Sequence, residues 1–168
     1  MDVRTIVNTV TINMGTALLI LVLSGGQPKL DGYAKMLGID TKSKEFKTEL
    51  KYMSGAVTKE NGDNSDLIQL LTASVIENRK QSDKWKGSTT EEVIMAKDGG
   101  YWQYAKTTRD NFKTVKSSRR TRYLCKFVLI FGPICPSNVV YQGQSKNGSG
   151  VYMKLKVPGQ KDEIFCYE

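Results

Sequence analysis

The fold of this chain depends on one apolar stretch, Asp66-Leu67-Ile68-Gln69-Leu70-Leu71-Thr72-Ala73-Ser74-Val75-Ile76-Glu77-Asn78-Arg79-Lys80. Apolar residues recur along it at intervals of three and four, which predicts a helix. Two neighbouring stripes run along it, Leu67, Leu71, Ser74 and Val75 in one and Ile68, Thr72 and Ile76 in the other. With Asn64 or Ser65 as its N-cap, the helix runs from Asp66 to about Lys80. Because its apolar face is wide, we expect it at the centre of the molecule.

The residues before this helix divide into an apolar run and a mixed helical segment. Residues 14–23 form an apolar run of ten residues, which is too short to span a bilayer because a spanning helix needs about 20. Two interpretations stay open: a buried or partner-facing helix, and a signal or membrane-contacting segment. Lys42 to Met53 has the spacing of an amphipathic helix that Ser54-Gly55 ends. We therefore expect an N-terminal arm and helical segment over 1–50 and a second domain over 51–168.

The C-terminal side mixes short helices with strands. Thr89 or Thr90 predicts the cap of a short helix, and an apolar run from Leu124 to Phe131 belongs to the core. Three later segments have strand-like composition and are separated by turns rich in glycine: Val139-Val140-Tyr141, Val151-Tyr152 and Ile164-Phe165-Cys166-Tyr167. Helices followed by a small β region indicate an α+β fold that is predominantly α.

The composition excludes several classes of enzyme. The 168 residues suit one domain with a short arm, and they include no histidine. Ser-His-Asp catalysis, Cys-His catalysis and zinc hydrolysis on histidine ligands are therefore excluded. Cys125, Cys135 and Cys166 cannot form a Cys₄ zinc site, and we expect all three to be buried free thiols. We predict no metal and no cofactor, so acid-base chemistry would fall to side chains such as carboxylates.

Two segments offer groups for such chemistry. Glu60 opens the turn-rich string 60–65, directly before the apolar helix, where apolar neighbours would raise the pKa of its carboxyl toward neutrality. Tyr101-Trp102-Gln103-Tyr104 follows Gly99-Gly100 and suits stacking on a sugar ring, with the amide of Gln103 offering a donor and an acceptor. A solvated loop glutamate and a core-edge hairpin are the alternative interpretations of these two segments.

Positive charge is concentrated in one segment of the second half. The chain has 25 Lys plus Arg against 17 Asp plus Glu, a formal net charge of +8, which predicts an anionic partner. Seven basic residues lie between positions 106 and 122, and three of them (Lys113, Lys116 and Arg120) recur at helical intervals: Lys106, Arg109, Lys113, Lys116, Arg119, Arg120 and Arg122. We interpret the segment as a solvated basic face that contacts an anionic polymer.

Read in order, these segments resemble the bacterial cell-wall hydrolase family typified by spore-cortex-lytic enzymes, and the blocks from Pro136 onward resemble most closely its phage-borne versions. The similarity covers about residues 58–168 and rests on the spacing from Glu60 to a helix that ends in V-I-x-N-R. It continues through four further blocks: Gly99 to Ala105, Pro136 to Gln142, Gly148 to Tyr152 and Phe165 to Tyr167. The chain departs from the family at Asn61, where a small residue is usual, and by the insertion of Trp102.

The resemblance implies a lysozyme-like, lytic-transglycosylase-like fold that cleaves the glycan strand of peptidoglycan. By position it makes Glu60 the catalytic acid. It places the substrate-binding residues in two blocks: Tyr101, Gln103 and Tyr104 in the first, and Asn138, Tyr141 and Gln142 in the second. The partners it implies are peptidoglycan and anionic wall polymers. The protein would act at the bacterial cell wall, as part of a phage particle or after export.

No second carboxylate lies in a recognisable nucleophile motif, although Asp63, Asp66, Glu77 and Asp98 are available. The favoured hypothesis is therefore a lytic transglycosylase, in which the substrate's own 6-hydroxyl attacks and leaves a 1,6-anhydro end; a muramidase is the alternative. A second class is a non-catalytic virion protein whose N-terminal arm packs on virion or tail proteins. A third is a nucleic-acid-binding module, against which the absence of a recognition motif argues.

Overall fold

A computed structural model describes residues 15–82, 84–85 and 87–168 of the chain. Within these residues, helix α1 covers 15–23, and the other helices are α2 (Leu30–Met36), α3 (Lys44–Asn61), α4 (Asp66–Gln81), α5 (Thr90–Ile94), α6 (Lys106–Asn111) and α7 (Arg119–Phe131). The strands are β1 (Lys97–Asp98), β2 (Tyr101–Trp102), β3 (Val139–Gly143), β4 (Gly150–Leu155) and β5 (Glu163–Tyr167). The fold is α+β with helices predominating, as the sequence predicts.

Helix α4 is the central element, which confirms the prediction from its apolar pattern. It begins after Ser65, whose hydroxyl accepts a hydrogen bond from the backbone N–H of Ile68 and so caps the helix. Of its 16 residues, 11 are buried. It contacts α3, α5, α7 and β3, so that both helices and sheet are assembled around it.

The two sides of α4 pack against different partners. Leu70, Ala73 and Ile76 belong to a core shared with α3 and α7. Ile68, Leu71 and Val75 belong to a second core that contains Val139, Val157 and Phe165 from the C-terminal region. The wide apolar face thus serves two layers, helices on one side and the sheet on the other.

Helix α3 is longer than its sequence predicts. Ser54-Gly55 was expected to end a helix near Met53, but α3 continues to Asn61. The backbone of Phe112 approaches Gly55 so closely that a Cβ there would lie 1.9 Å from the Phe112 carbonyl oxygen. Glycine at this position is therefore required by packing between the helix and a neighbouring segment, and it does not terminate the helix.

Residue 50, where we placed the boundary between two regions, lies inside α3. The core on the helical side of α4 also includes residues from before that point, and they pack with residues that follow it: Leu18, Val22, Leu30 and Ala34. Residues on the two sides of position 50 therefore share one hydrophobic core.

Helix α1 has a buried and an exposed side. Leu18 and Val22 are buried, whereas Ile20 is 64% exposed and Leu21 is 48% exposed. None of the helices in the described part of the chain is long and apolar enough to cross a membrane. Met14, the first residue of the predicted apolar run, lies outside the described residues.

The β region follows the predicted strands. β3, β5 and β4 form an antiparallel sheet in that order, with β5 in the middle. The first two strands form a separate hairpin whose turn is Gly99-Gly100, and both glycines have positive φ, 56° and 87°. All three cysteines are buried and free, which confirms the expectation of buried free thiols. The apolar run from Leu124 to Phe131 lies within α7.

We predict that Gly55→Ala destabilises the protein by about 3 kcal/mol, because the added methyl group collides with backbone and not with a flexible side chain. Gly32→Ala is the matched control, since it lies in α2 with no atom within 4 Å of the added Cβ. The control is expected to gain at most about 1 kcal/mol from helix propensity. Urea unfolding of both variants measures the difference, and equal midpoints would contradict the packing argument.

Candidate functional site

Glu60 lies in the last turn of α3 and not in the turn that follows it, where the sequence placed it. Its side chain is half-buried, and its carboxylate oxygen accepts a 2.5 Å hydrogen bond from the hydroxyl of Thr108 on α6. Burial raises the pKa of the Glu60 carboxyl above its ordinary value. The Thr108 hydrogen bond and the positive charge of Arg79 lower this pKa, but burial has the larger effect.

The connection after Glu60 is tied to the core, although its composition predicted an exposed string. Asn61 is buried, and its amide nitrogen donates to the Thr72 hydroxyl at 2.8 Å and to a Glu163 carboxylate oxygen at 3.4 Å. The amide of Asn64 donates to the Asn61 side-chain oxygen at 2.7 Å. These bonds hold the end of α3 against α4 and β5, so the backbone that carries Glu60 is constrained from both.

Glu163 is a second carboxyl group in this region, and the sequence reasoning missed it. It is the first residue of β5, it is only 8% exposed, and no basic side chain of the described residues forms an ion pair with it. Burial raises the pKa of the Glu163 carboxyl, and the charge of Glu60 raises this pKa further, against the lowering by the Asn61 hydrogen bond. A buried carboxyl without a cation is costly for folding, which marks Glu163 as a candidate for function.

A signal for Glu163 was present in the strand pattern. Alternation along β5 places it on the same face as Phe165, which is fully buried. Three of the four carboxylates considered from the sequence are instead in ion pairs: Asp66 with Arg120, Glu77 with Lys80, and Asp98 with Lys84. The fourth, Asp63, is exposed in the turn after α3.

The end of α4 is anchored to β3 by two buried polar side chains. The amide nitrogen of Asn78 donates to the carbonyl oxygens of Pro136 and Val139, at 2.8 and 2.9 Å. The Nε of Arg79 donates to the Val140 carbonyl at 2.7 Å. The V-I-x-N-R segment therefore joins helix and sheet.

The guanidinium of Arg79 also faces two aromatic rings. Its Cζ lies 4.3 Å from the ring centre of Trp85 and 5.0 Å from that of Tyr104. Arg79 is 2% exposed, so its positive charge is held in the interior. This charge lowers the pKa of Glu60.

The predicted sugar-stacking string 101–104 divides into exposed and buried residues. Tyr101 is 79% exposed and Trp102 is 42% exposed, at the end of the hairpin. Tyr104 is buried, and burial raises the pKa of its hydroxyl; its ring is therefore part of the core. Gln103 is half-buried, and its amide nitrogen donates to the Tyr101 carbonyl at 3.3 Å. Among these residues Tyr101 offers the most open ring surface.

The second predicted block lies at and around β3. Asn138 is exposed in the turn before the strand, and its carbonyl accepts a hydrogen bond from the Glu168 N–H at 2.8 Å. Tyr141 accepts a 2.5 Å hydrogen bond from Lys84, and its ring meets Trp85 edge to face at 5.8 Å. Gln142 is half-buried on the same strand. The ring of Trp85 thus contacts both Tyr141 and Arg79.

The seven predicted basic contacts do not share one helical face. Lys106 and Arg109 lie on α6, and Arg119, Arg120 and Arg122 lie on α7, whereas Lys113 and Lys116 lie in the connection between the helices. The prediction that Lys113, Lys116 and Arg120 share one helical face is therefore wrong, since one helix does not carry all three.

Three of these basic residues are already paired with acids: Lys106 with Asp110, Lys113 with Glu91, and Arg120 with Asp66. Lys116, Arg119 and Arg122 are exposed. In the described ranges, no group of three or more cysteine and acidic side chains is arranged to hold a metal ion.

We predict that Glu60→Gln lowers the pKa of Glu163, because it removes a neighbouring negative charge that favours the protonated form of Glu163. Carboxyl ¹³C chemical shifts of Glu163 against pH measure the change. Glu45→Gln, an exposed change in the first turn of α3, is the control. A Glu163 pKa that rises or stays constant in Glu60→Gln would contradict the proximity of the two groups.

Glu163→Gln is expected to be more stable than the wild type at about pH 7. When folding raises the pKa of a carboxyl, the protein becomes less stable as the pH increases from the pKa in the unfolded state to the pKa in the folded state. The reason is that the folded state holds the proton to a higher pH. Glutamine removes that loss, so the gain in unfolding free energy should be smaller at about pH 4 than at about pH 7. Thermal unfolding at the two pH values checks the sign.

Comparison of the chain with protein-family models, with curated proteins and with solved structures found no match in any of the three.

Proposed function

We propose that the protein cleaves the glycan strand of peptidoglycan, with Glu60 as the general acid on a lysozyme-like scaffold. The observation that carries the proposal is the state of Glu60, a half-buried carboxyl whose pKa is raised by burial and whose oxygen is held by Thr108. A glycosidase needs a carboxyl that keeps its proton close to neutral pH and can then release it to the substrate. Glu163 is a second carboxyl buried nearby, and burial together with the charge of Glu60 raises its pKa.

In the first step the proton of Glu60 passes to the glycosidic oxygen that follows N-acetylmuramic acid. The bond between this oxygen and C1 of the muramic acid breaks, and positive charge develops on the C1–ring oxygen unit. Glu60 is left as a carboxylate. The Thr108 hydroxyl, which donates to it, and the charge of Arg79 both favour that ionised form.

In the second step we propose that the 6-hydroxyl of the same sugar attacks C1, and that Glu60 takes the proton of this hydroxyl. The product is a 1,6-anhydro end, and Glu60 regains the protonated form with which it began. This lytic transglycosylase route needs one carboxyl as acid and then as base. In the muramidase alternative a water molecule attacks C1 instead, and the product keeps a reducing end.

The proposed site of action is the bacterial cell wall, reached from a phage particle or by export. Wall polymers are anionic, and the chain carries a formal net charge of +8. Lys116, Arg119 and Arg122 are the exposed members of the basic segment, and we propose them as contacts to such polymers.

One observation favours a second candidate, a non-catalytic virion protein attached through its N-terminal helix. Ile20, Leu21 and Leu23 expose apolar surface on α1, which is unusual unless a partner covers it. This candidate shares the scaffold with the enzyme but needs no proton transfer, so activity at Glu60 separates the two.

We predict that Glu60→Gln abolishes clearing in a zymogram of purified cell walls, with a loss of at least about 100-fold in rate, because an amide cannot donate the proton. Glu45→Gln, on the same helix but exposed, should clear the walls like the wild type. Equal clearing by wild type and Glu60→Gln would exclude Glu60 as the acid. No clearing by the wild type would favour the virion candidate.

The products of digestion distinguish the two chemical routes. We predict that mass spectrometry of the released fragments finds 1,6-anhydromuramic acid ends, which weigh one water less than reducing ends. Reducing muramic acid as the main product would favour attack by water. Because both products need the proton from Glu60, this result does not depend on the zymogram of the variant.

A further inference from the structure

Two positively charged groups lie over one exposed indole ring beside the candidate site. The Nζ of Lys97 is 4.4 Å from the ring centre of Trp102, and the Cζ of Arg109 is 4.1 Å from it. Lys97 is the cross-strand partner of Trp102 in the β1–β2 hairpin, and Arg109 comes from α6. Cations at these distances from an indole are attracted to its π-electron system, so both side chains are held at the same ring.

The arrangement is held in place from several directions. The Nε of Arg109 donates to the Tyr104 carbonyl at 3.1 Å, which fixes the guanidinium relative to the segment that follows the hairpin. The tight Gly99-Gly100 turn fixes the pairing of Lys97 with Trp102. Trp102 itself remains 42% exposed, so this group of residues is open to solvent.

Neither cation has an acidic partner among the described residues, although acids lie close in sequence. Asp98, next to Lys97, is paired with Lys84, and Asp110, next to Arg109, is paired with Lys106. These two carboxylates are thus already engaged with other lysines. Lys97 and Arg109 are thus without an acidic counter-ion among the described residues, and an anion that binds at the ring would supply one.

The cation pair is connected to Glu60 through α6. Thr108, whose hydroxyl donates to Glu60, directly precedes Arg109 in this helix. A substrate whose scissile bond lies at Glu60 would therefore be next to the helix that also carries Arg109. The position suits a group attached to the glycan near the bond that is cut.

We propose that Lys97 and Arg109, held over Trp102, bind a carboxylate of the stem peptide that peptidoglycan carries on its muramic acid. The inference rests on the proposed function and adds to it a substrate preference: glycan strands with stem peptides over strands without them. The guanidinium of Arg109 supplies a planar pair of donors that matches a carboxylate, and Lys97 adds a second charge. The exposed part of Trp102 offers apolar contact to the short side chains of the stem.

The test measures binding in the Glu60→Gln variant, so that no cleavage occurs. The probes are a soluble disaccharide–peptide from peptidoglycan and the same disaccharide without its peptide, titrated by calorimetry. The peptide-bearing probe is expected to bind about tenfold more tightly, a typical effect of one charge-assisted contact. Adding Lys97→Gln or Arg109→Gln should remove this difference, whereas adding Lys106→Gln, on the same helix but paired with Asp110, should retain it.

Three outcomes would overturn the inference. The first is equal affinity of the two probes, and the second is a preference that persists in both Lys97→Gln and Arg109→Gln. The third is weakened binding of a glycerol-phosphate polymer by these variants without an effect on the peptide-bearing probe, which would assign the cations to phosphate. Lys97→Gln keeps the test valid if Arg109→Gln disturbs the Tyr104 backbone, because the contact described for Lys97 is with the indole ring alone.

Failure of this inference and failure of the proposed function give different results. An enzyme that clears cell walls but binds both probes equally retains its function and loses only the stem-peptide site. A protein that clears nothing, yet loses peptide-dependent binding in Arg109→Gln, retains the site and loses the proposed chemistry.

Discussion

The junction between helices and sheet depends on a buried arginine. Arg79 lies in the last turn of the central helix, donates to the backbone of β3, and lies against the rings of Trp85 and Tyr104. A guanidinium that is 2% exposed is costly to bury, and its contacts with a carbonyl and two aromatic faces offset part of this cost. The same charge acts on the pKa of Glu60, so one side chain links the assembly of the fold to the chemistry of the candidate site.

The site combines groups that fold stability alone would not select. Glu60 is half-buried and Glu163 is buried, burial raises the pKa of both carboxyls, and the charge of Glu60 raises the pKa of Glu163 further. Asn61 stands between them in the hydrogen-bond network, because it follows Glu60 in α3 and donates to Glu163. Regions of this kind, where burial shifts a pKa without a compensating ion pair, are typical of acid-base sites. The cation pair on Trp102 adds positive charge at the edge of the same region.

Local signals in the sequence were sufficient for the elements but not for their ends or their neighbours. The apolar pattern and the Ser65 cap predicted α4, and the composition of about the last 30 residues predicted β3, β4 and β5. Gly55 was misjudged because a glycine that ends a helix and a glycine that admits another backbone look alike until Phe112 is in place. Glu163 was missed because it lies 103 positions after Glu60 and becomes its neighbour only when β5 packs beside α3 and α4.

The sequence by itself determined the α+β class, the central helix, the absence of histidine chemistry and the choice of Glu60 as the leading carboxyl. These follow from residue type and short-range periodicity, which do not require knowledge of distant contacts. Only the tertiary structure decided that Tyr104 is buried, that Lys106, Lys113 and Arg120 are paired with acids, and that Glu163 lies near Glu60. Each of these depends on burial and on charges from remote segments, because the environment of a side chain is set by whatever the fold packs against it.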